Sequence, residues 1–141
     1  MSESSATSRM TRRFGIDTSV LVRLVAGEPR AEFERCVETL RSLIEDEGAE
    51  LVASNQVIAE AYVALQHHYG VSKADARAGL LDVLRSGMVA PLNGRAVLAA
   101  LEARESAGLL DRLIAEEYSR VGLEVLTLDR RMAALPAVRR L

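Results

Sequence analysis

The sequence has no tryptophan, a single cysteine and a single lysine in 141 residues. With Cys36 alone, no intramolecular disulfide can form, which excludes a crosslinked secreted scaffold. No run of 18 apolar residues exists, so a transmembrane span is excluded. Residues Met1 to Arg13 lack the apolar block of a secretion signal, and a cytoplasmic setting is expected. Charge of one sign is also missing: 18 basic residues stand against 20 acidic ones, for a formal net charge of -2. A protein that coats nucleic acid is thereby excluded. A nucleic-acid substrate is not, because local Arg clusters or a bound divalent cation can supply positive charge where phosphates lie.

What is present fits one compact domain, 49% hydrophobic and 27% charged. Residues 1–13, MSESSATSRMTRR, read as a flexible tail, and 14–141 as the domain. A short buried strand is expected to end at Asp17, with a helix capped by Thr18 or Ser19 and stopped by Gly27 and Pro29. Arg30 to Asp46 carries Phe33, Cys36, Val37, Leu40, Leu43 and Ile44 at amphipathic helical spacing. Leu51 to Ala53 predicts a second strand, followed by a helix to His68 capped by Ser54 or Asn55. Further helices are expected over Ser72 to Arg85, Arg95 to Glu105 and Leu110 to Arg120. Strands are expected over Met88 to Leu92 and, buried, over Leu123 to Leu128, and a last helix precedes the tail Val138 to Leu141. Alternating strands and helices predict a parallel sheet covered on both faces, with ligands at the carboxyl ends of the strands.

Only six Asp occur, and two of them, Asp17 and Asp129, end predicted strands at that edge. Several carboxylates together need a cation to offset their repulsion. Magnesium, with its preference for hard oxygen ligands and retained waters, suits such a site. Glu60 lies roughly opposite the stripe Ile58, Ala61, Tyr62 and Leu65 of its helix, which fits either a solvated charge or a ligand. Asp111 opens a helix whose expected stripe is Leu110, Leu113, Ile114 and Val121, and there it can serve the helix dipole or a metal.

The runs G-I-D-T-S-V-L-V at Gly15 to Val22, I-A-E-A-Y at Ile58 to Tyr62, D-R-L-I-A at Asp111 to Ala115 and L-T-L-D at Leu126 to Asp129 resemble, in order, the four signature blocks of PIN-domain proteins. The size is similar to that of VapC-like toxins of bacterial toxin-antitoxin pairs. The resemblance implies a three-layer α/β/α sandwich around a mostly parallel sheet, and an endoribonuclease dependent on Mg2+ or Mn2+. It implies Asp17, Glu60, Asp111 and Asp129 as the catalytic and metal-holding acids gathered in one cleft, with Ser19 and Thr127 as supports. It also implies a homodimer and a cognate antitoxin that places a basic group among the acids. The helices Phe33 to Ile44 and Ser72 to Leu84 are the expected contact surfaces.

Arg130 and Arg131 follow Asp129 directly and are the preferred RNA-contacting pair. One departure from the family pattern is a bulkier third block, in which Glu117 falls on the expected apolar stripe and so calls for a partner. His67 and His68 point about 100° apart at a helix end, a poor arrangement for a shared catalytic role. Cys36 reads as packed core. A receiver domain is excluded because the lone Lys73 is not after the last strand, and a D-x-D phosphatase because Ser19 stands where the second Asp belongs. The alternative function is a PIN-like RNA-binding or protein-interaction module without strong catalysis.

Overall fold

A computed structural model describes residues 12–104 and 107–141. Five strands and six helices alternate: β1 (Arg13–Gly15), α1 (Thr18–Ala26), α2 (Arg30–Glu47), β2 (Glu50–Ala53), α3 (Asn55–Tyr69), α4 (Lys73–Arg85), β3 (Val89–Pro91), α5 (Arg95–Glu102), α6 (Leu109–Ser119), β4 (Val125–Thr127) and β5 (Val138–Arg140). β2 lies between β1 and β3 and pairs parallel with both, while β4 and β5 form a second parallel ladder. The expected parallel α/β architecture is therefore present, with five parallel strands in ladders of three and two. None of the described helices is long and apolar enough to cross a membrane.

β1 begins one residue inside the expected tail and ends before Asp17, whose neighbour Ile16 still donates to the Val52 carbonyl at 2.9 Å. Arg12 and Arg13 are tied down by ion pairs to Glu47 and Glu50, both at 2.7 Å. The rest of the expected tail, residues 1–11, lies outside the described residues, as does Glu105 at the expected end of α5. The expected last helix is replaced by one 3-10 turn, Met132–Ala134, and by β5. Pro136 has no N–H to continue a helix, and Ala137 turns the chain with φ 60° into β5.

The core is aliphatic. Leu21 from α1, Ile58, Ala61 and Leu65 from α3, Leu80 from α4 and Val97 from α5 are fully buried around the three-stranded sheet. Gly79 explains itself by proximity, since a Cβ there would lie 2.7 Å from Val25 Cγ1 where α4 crosses α1. Cys36 packs against this core, and burial pushes its thiol above the usual range, with Arg23 opposing.

α6 is rolled differently from the expected stripe. Leu109 and Leu113 face inward, whereas Leu110, Ile114 and Tyr118 are exposed and Val121, just past the helix, more so. Glu117, expected on the buried face, is exposed, and Glu116 is instead the acid turned inward, half-buried with its side chain 9% exposed. Glu116 accepts from Asn55 Nδ2 at 2.7 Å, Asn93 Nδ2 at 3.0 Å and Arg120 Nε at 3.0 Å. Asn55, itself buried, also donates to the Leu113 carbonyl at 3.0 Å, and Arg120 reaches the Asn93 carbonyl. This network ties the start of α3, the turn after β3 and α6 together. β4 also departs from expectation: Val125 is buried, but Leu123, Leu126 and Leu128 are exposed.

Burial pushes the Glu116 carboxyl upward, but the Asn93, Asn55 and Arg120 donors outweigh it and hold the group below the usual carboxylate range. Its stabilisation is complete above the unfolded value of about 4.3 and is lost as pH falls through the lower folded value. Glu116→Ala should cost roughly 2–3 kcal/mol at neutral pH, by leaving buried amide donors unpaired. Denaturant melts at neutral pH and near pH 3 check this, and the gap between variant and wild type should narrow on acidification.

Candidate active site

The three-stranded sheet sends its carboxyl ends toward the starts of α1 and α3. Asp17 is the N-cap residue of α1, in extended conformation (φ -88°, ψ 168°), and its carbonyl accepts from Val20 and Leu21. Its carboxylate makes no capping hydrogen bond, so it stands exposed beside a helix N-terminus that favours its charge. Ser54 caps α3 through Val57 N–H at 3.2 Å, and Glu60 follows on the second turn.

Glu60 is exposed, as expected from its place off the apolar stripe, but it is not merely solvated. Thr18 Oγ1 donates to Glu60 Oε1 at 2.6 Å, and Gln56 Nε2 donates to Oε2 at 3.2 Å. Those two bonds hold the Glu60 carboxyl below its ordinary range. Thr18 thus connects the residue after Asp17 to Glu60. The sequence reading took Thr18 only as a helix cap, and a hydroxyl next to the first acid, with Gln56 four residues before Glu60 on the same helix face, was the available signal. Ser19 is exposed and makes no side-chain hydrogen bond among the described residues.

Asp111 sits in the first turn of α6 and Asp129 just after β4, and both line a cleft of about 350 Å³. Tyr62, Val63, Gln66 and His67 of α3 form one wall, and Glu60 lies on the same face of that helix as Val63 and His67. Burial raises the Asp111 carboxyl above its usual range, and the nearby Asp129 charge raises it further. Asp129 is fixed by the chain around it. Its Oδ1 accepts from Arg131 N–H at 2.7 Å and Met132 N–H at 3.2 Å, while its own N–H donates to Thr127 Oγ1 at 3.0 Å. Arg131 lines the cleft with the two acids, and Arg130 is exposed outside its lining.

The four predicted acids therefore arrive as two pairs: Asp17 with Glu60 through Thr18, and Asp111 with Asp129 across one cleft. Among the described residues, no group of three or more His, Cys, Asp and Glu is gathered as a cation site. Two carboxylates suffice for magnesium, which keeps its waters and takes further ligands from a substrate phosphate. The charge balance fits such an ion. Every ion pair among the described residues uses Glu as its acid, and none uses Asp17, Glu60, Asp111 or Asp129. Asp111 and Asp129 are thus in no ion pair, although Lys73 and Arg131 line the same cleft, and their mutual repulsion suits a hard cation.

With this geometry in place, the family follows. The PIN domain model matches residues 15–138, so the chain belongs to the PIN-domain family, whose members are generally nucleases. Neither a search of curated proteins nor a search of solved structures finds a match.

Two outcomes test the electrostatics. Because the folded Asp111 carboxyl lies above its unfolded value, stability from this group is present below that value and lost as pH rises through the folded one. Asp111→Asn should leave the Tm of the metal-free protein at neutral pH unchanged or higher, and a clear fall would give Asp111 a structural role. Thr18→Val should move the Glu60 carboxyl titration upward, read by NMR, with the fold intact.

Proposed function

We propose that the protein is a metal-dependent endoribonuclease using Mg2+ or Mn2+, and the toxin of a toxin-antitoxin pair acting in the cytoplasm. The observation that carries the reading is the pair of carboxylates, Asp111 and Asp129, lining one cleft and engaged in no ion pair at the strand-end region of a PIN domain. Asp111 and Asp129 hold the cation, with Asp17 and Glu60 contributing directly or through water. When bound, the ion supplies neutralisation of a phosphate oxygen and activation of water, which no side chain of the cleft provides alone.

The remaining roles belong to this chain's own groups. Thr18 and Gln56 keep Glu60 ionised and aimed, Thr127 fixes the Asp129 backbone by accepting from its N–H, and the 131–132 amides hold one carboxylate oxygen of Asp129 and leave the other for the ion. Arg131 contacts the substrate backbone within the cleft and Arg130 beside it, and Ser19 supports Asp17 through solvent. A homodimer and an antitoxin complete the proposal, but the surface supporting them differs from the expected α2 and α4. The large exposed apolar side chains concentrate on α6 and β4, at Leu110, Ile114, Tyr118, Val121, Leu126 and Leu128.

The deciding assay is cleavage of a mixed RNA pool by wild type, Asp17→Asn and His68→Ala, with and without EDTA. Wild type and His68→Ala should cleave with Mg2+ or Mn2+ and stop on chelation, and Asp17→Asn should fall roughly 100-fold or more. Chelator-resistant cleavage that Asp17→Asn leaves intact would remove this reading and favour the binding-module alternative.

A further inference from the structure

The cleft of Asp111 and Asp129 does not end at those acids. A second cleft, of about 550 Å³, lies between α4 and the end of α5, and both are lined by Tyr62, Lys73 and Gly108. The two form one groove that passes over Lys73. Beyond Lys73 the described lining is mainly basic: Arg77 and Arg104 join it, and among the described residues its one acid, Glu102, is ion-paired with Arg85.

Lys73 is anomalous in three respects. It is the only lysine of the chain. It is exposed and in no ion pair among the described residues. It is also the first residue of α4, after the Ser72 cap, where the helix dipole disfavours a cation. The helix itself gains nothing from a positive charge there. Arg77, by contrast, is partly used by the fold, since it donates to the Ala103 carbonyl.

We infer that this groove carries the phosphate backbone of single-stranded RNA flanking the scissile bond, with Lys73 as the first cation past the acids and Arg104 further along. The inference rests on the ribonuclease reading above. A polyanion threaded past Asp111 and Asp129 is repelled by whatever acidic charge the metal leaves unneutralised, and affinity has to come from cations along the flank.

The test is direct binding of a short, mixed-sequence, end-labelled single-stranded RNA to the full chain by fluorescence anisotropy. It is done in the Asp17→Asn background to prevent cleavage, with Lys73 intact or changed to Ala, Glu or Arg. Kd should rise roughly 3- to 10-fold for Lys73→Ala and more for Lys73→Glu, and return with Lys73→Arg. The slope of log affinity against log salt should shrink by about 0.7 for the one lost phosphate contact. In the otherwise wild-type chain, Lys73→Ala should raise KM with kcat unchanged and Tm unchanged or higher. Arg30→Ala, on α2 away from the groove, should change none of these.

If wild type cleaves RNA with metal yet Lys73 variants bind and turn over as it does, the groove assignment falls and the nuclease reading stands. If a polyglutamate peptide binds through Lys73 while RNA affinity is unmoved, the groove takes an acidic protein segment instead. If wild type neither binds nor cleaves RNA, both readings fall.

Discussion

The half-buried Glu116 carboxylate, with its three donors, is the constraint on which the arrangement of the site depends. A carboxylate at such a position is tolerated only when its oxygens are bonded, and its three donors come from three places in the chain: Asn55 opening α3, Asn93 in the turn after β3, and Arg120 at the end of its own helix. Satisfying all three fixes the roll of α6, with Leu109 and Leu113 inward beside it. At about 100° per residue, Asp111 then stands away from the Leu109 and Leu113 line, on the side that opens into the cleft with Asp129. The same amide that anchors Glu116 belongs to the first residue of α3, the helix that carries Glu60. One polar network therefore positions both helix-borne acids.

That network also explains where the sequence misleads. Counting apolar residues in α6 favours a stripe through Leu110, Ile114 and Val121, which draws Glu117 into the core. The observed stripe uses fewer apolar residues and buries Glu116 instead, because its partners Asn55 and Asn93 lie 61 and 23 residues away. Local periodicity cannot register donors at that separation. The elements themselves were legible where their signals are local. The Ser54 cap, the stop at Gly27, and the placement of Asp17 and Asp129 just past parallel strands all follow from residues a few positions apart. β5 was not legible. Val138 to Arg140 reads as a tail until β4 supplies the ladder it joins.

The roll of α6 has a consequence for the outer surface. Turning Glu116 inward turns Leu110, Ile114 and Tyr118 outward, next in sequence to a β4 that exposes Leu126 and Leu128. This chain keeps its large apolar excess on the segment from 110 to 128, while α2 exposes a mainly charged face. An apolar surface of this kind is costly to leave in water, and it lies on and around α6 and β4 rather than on the helices whose sequence looks most amphipathic.

Charge is divided with the same economy. Arginine supplies nearly all the positive charge, and the ion pairs among the described residues join arginines to glutamates at the periphery. The aspartates of the site stay outside that exchange, and Glu60 is held by a hydroxyl and an amide, which stabilise its charge without cancelling it. A net charge of -2 thus conceals an uneven distribution: arginine–glutamate pairs at the periphery, two acids in no ion pair in one cleft, and the lone lysine where that cleft meets a second one whose described lining is mainly basic. A nearly neutral protein can in this way present a divalent cation and a polyanion with adjacent sites of opposite sign, which the average charge does not reveal.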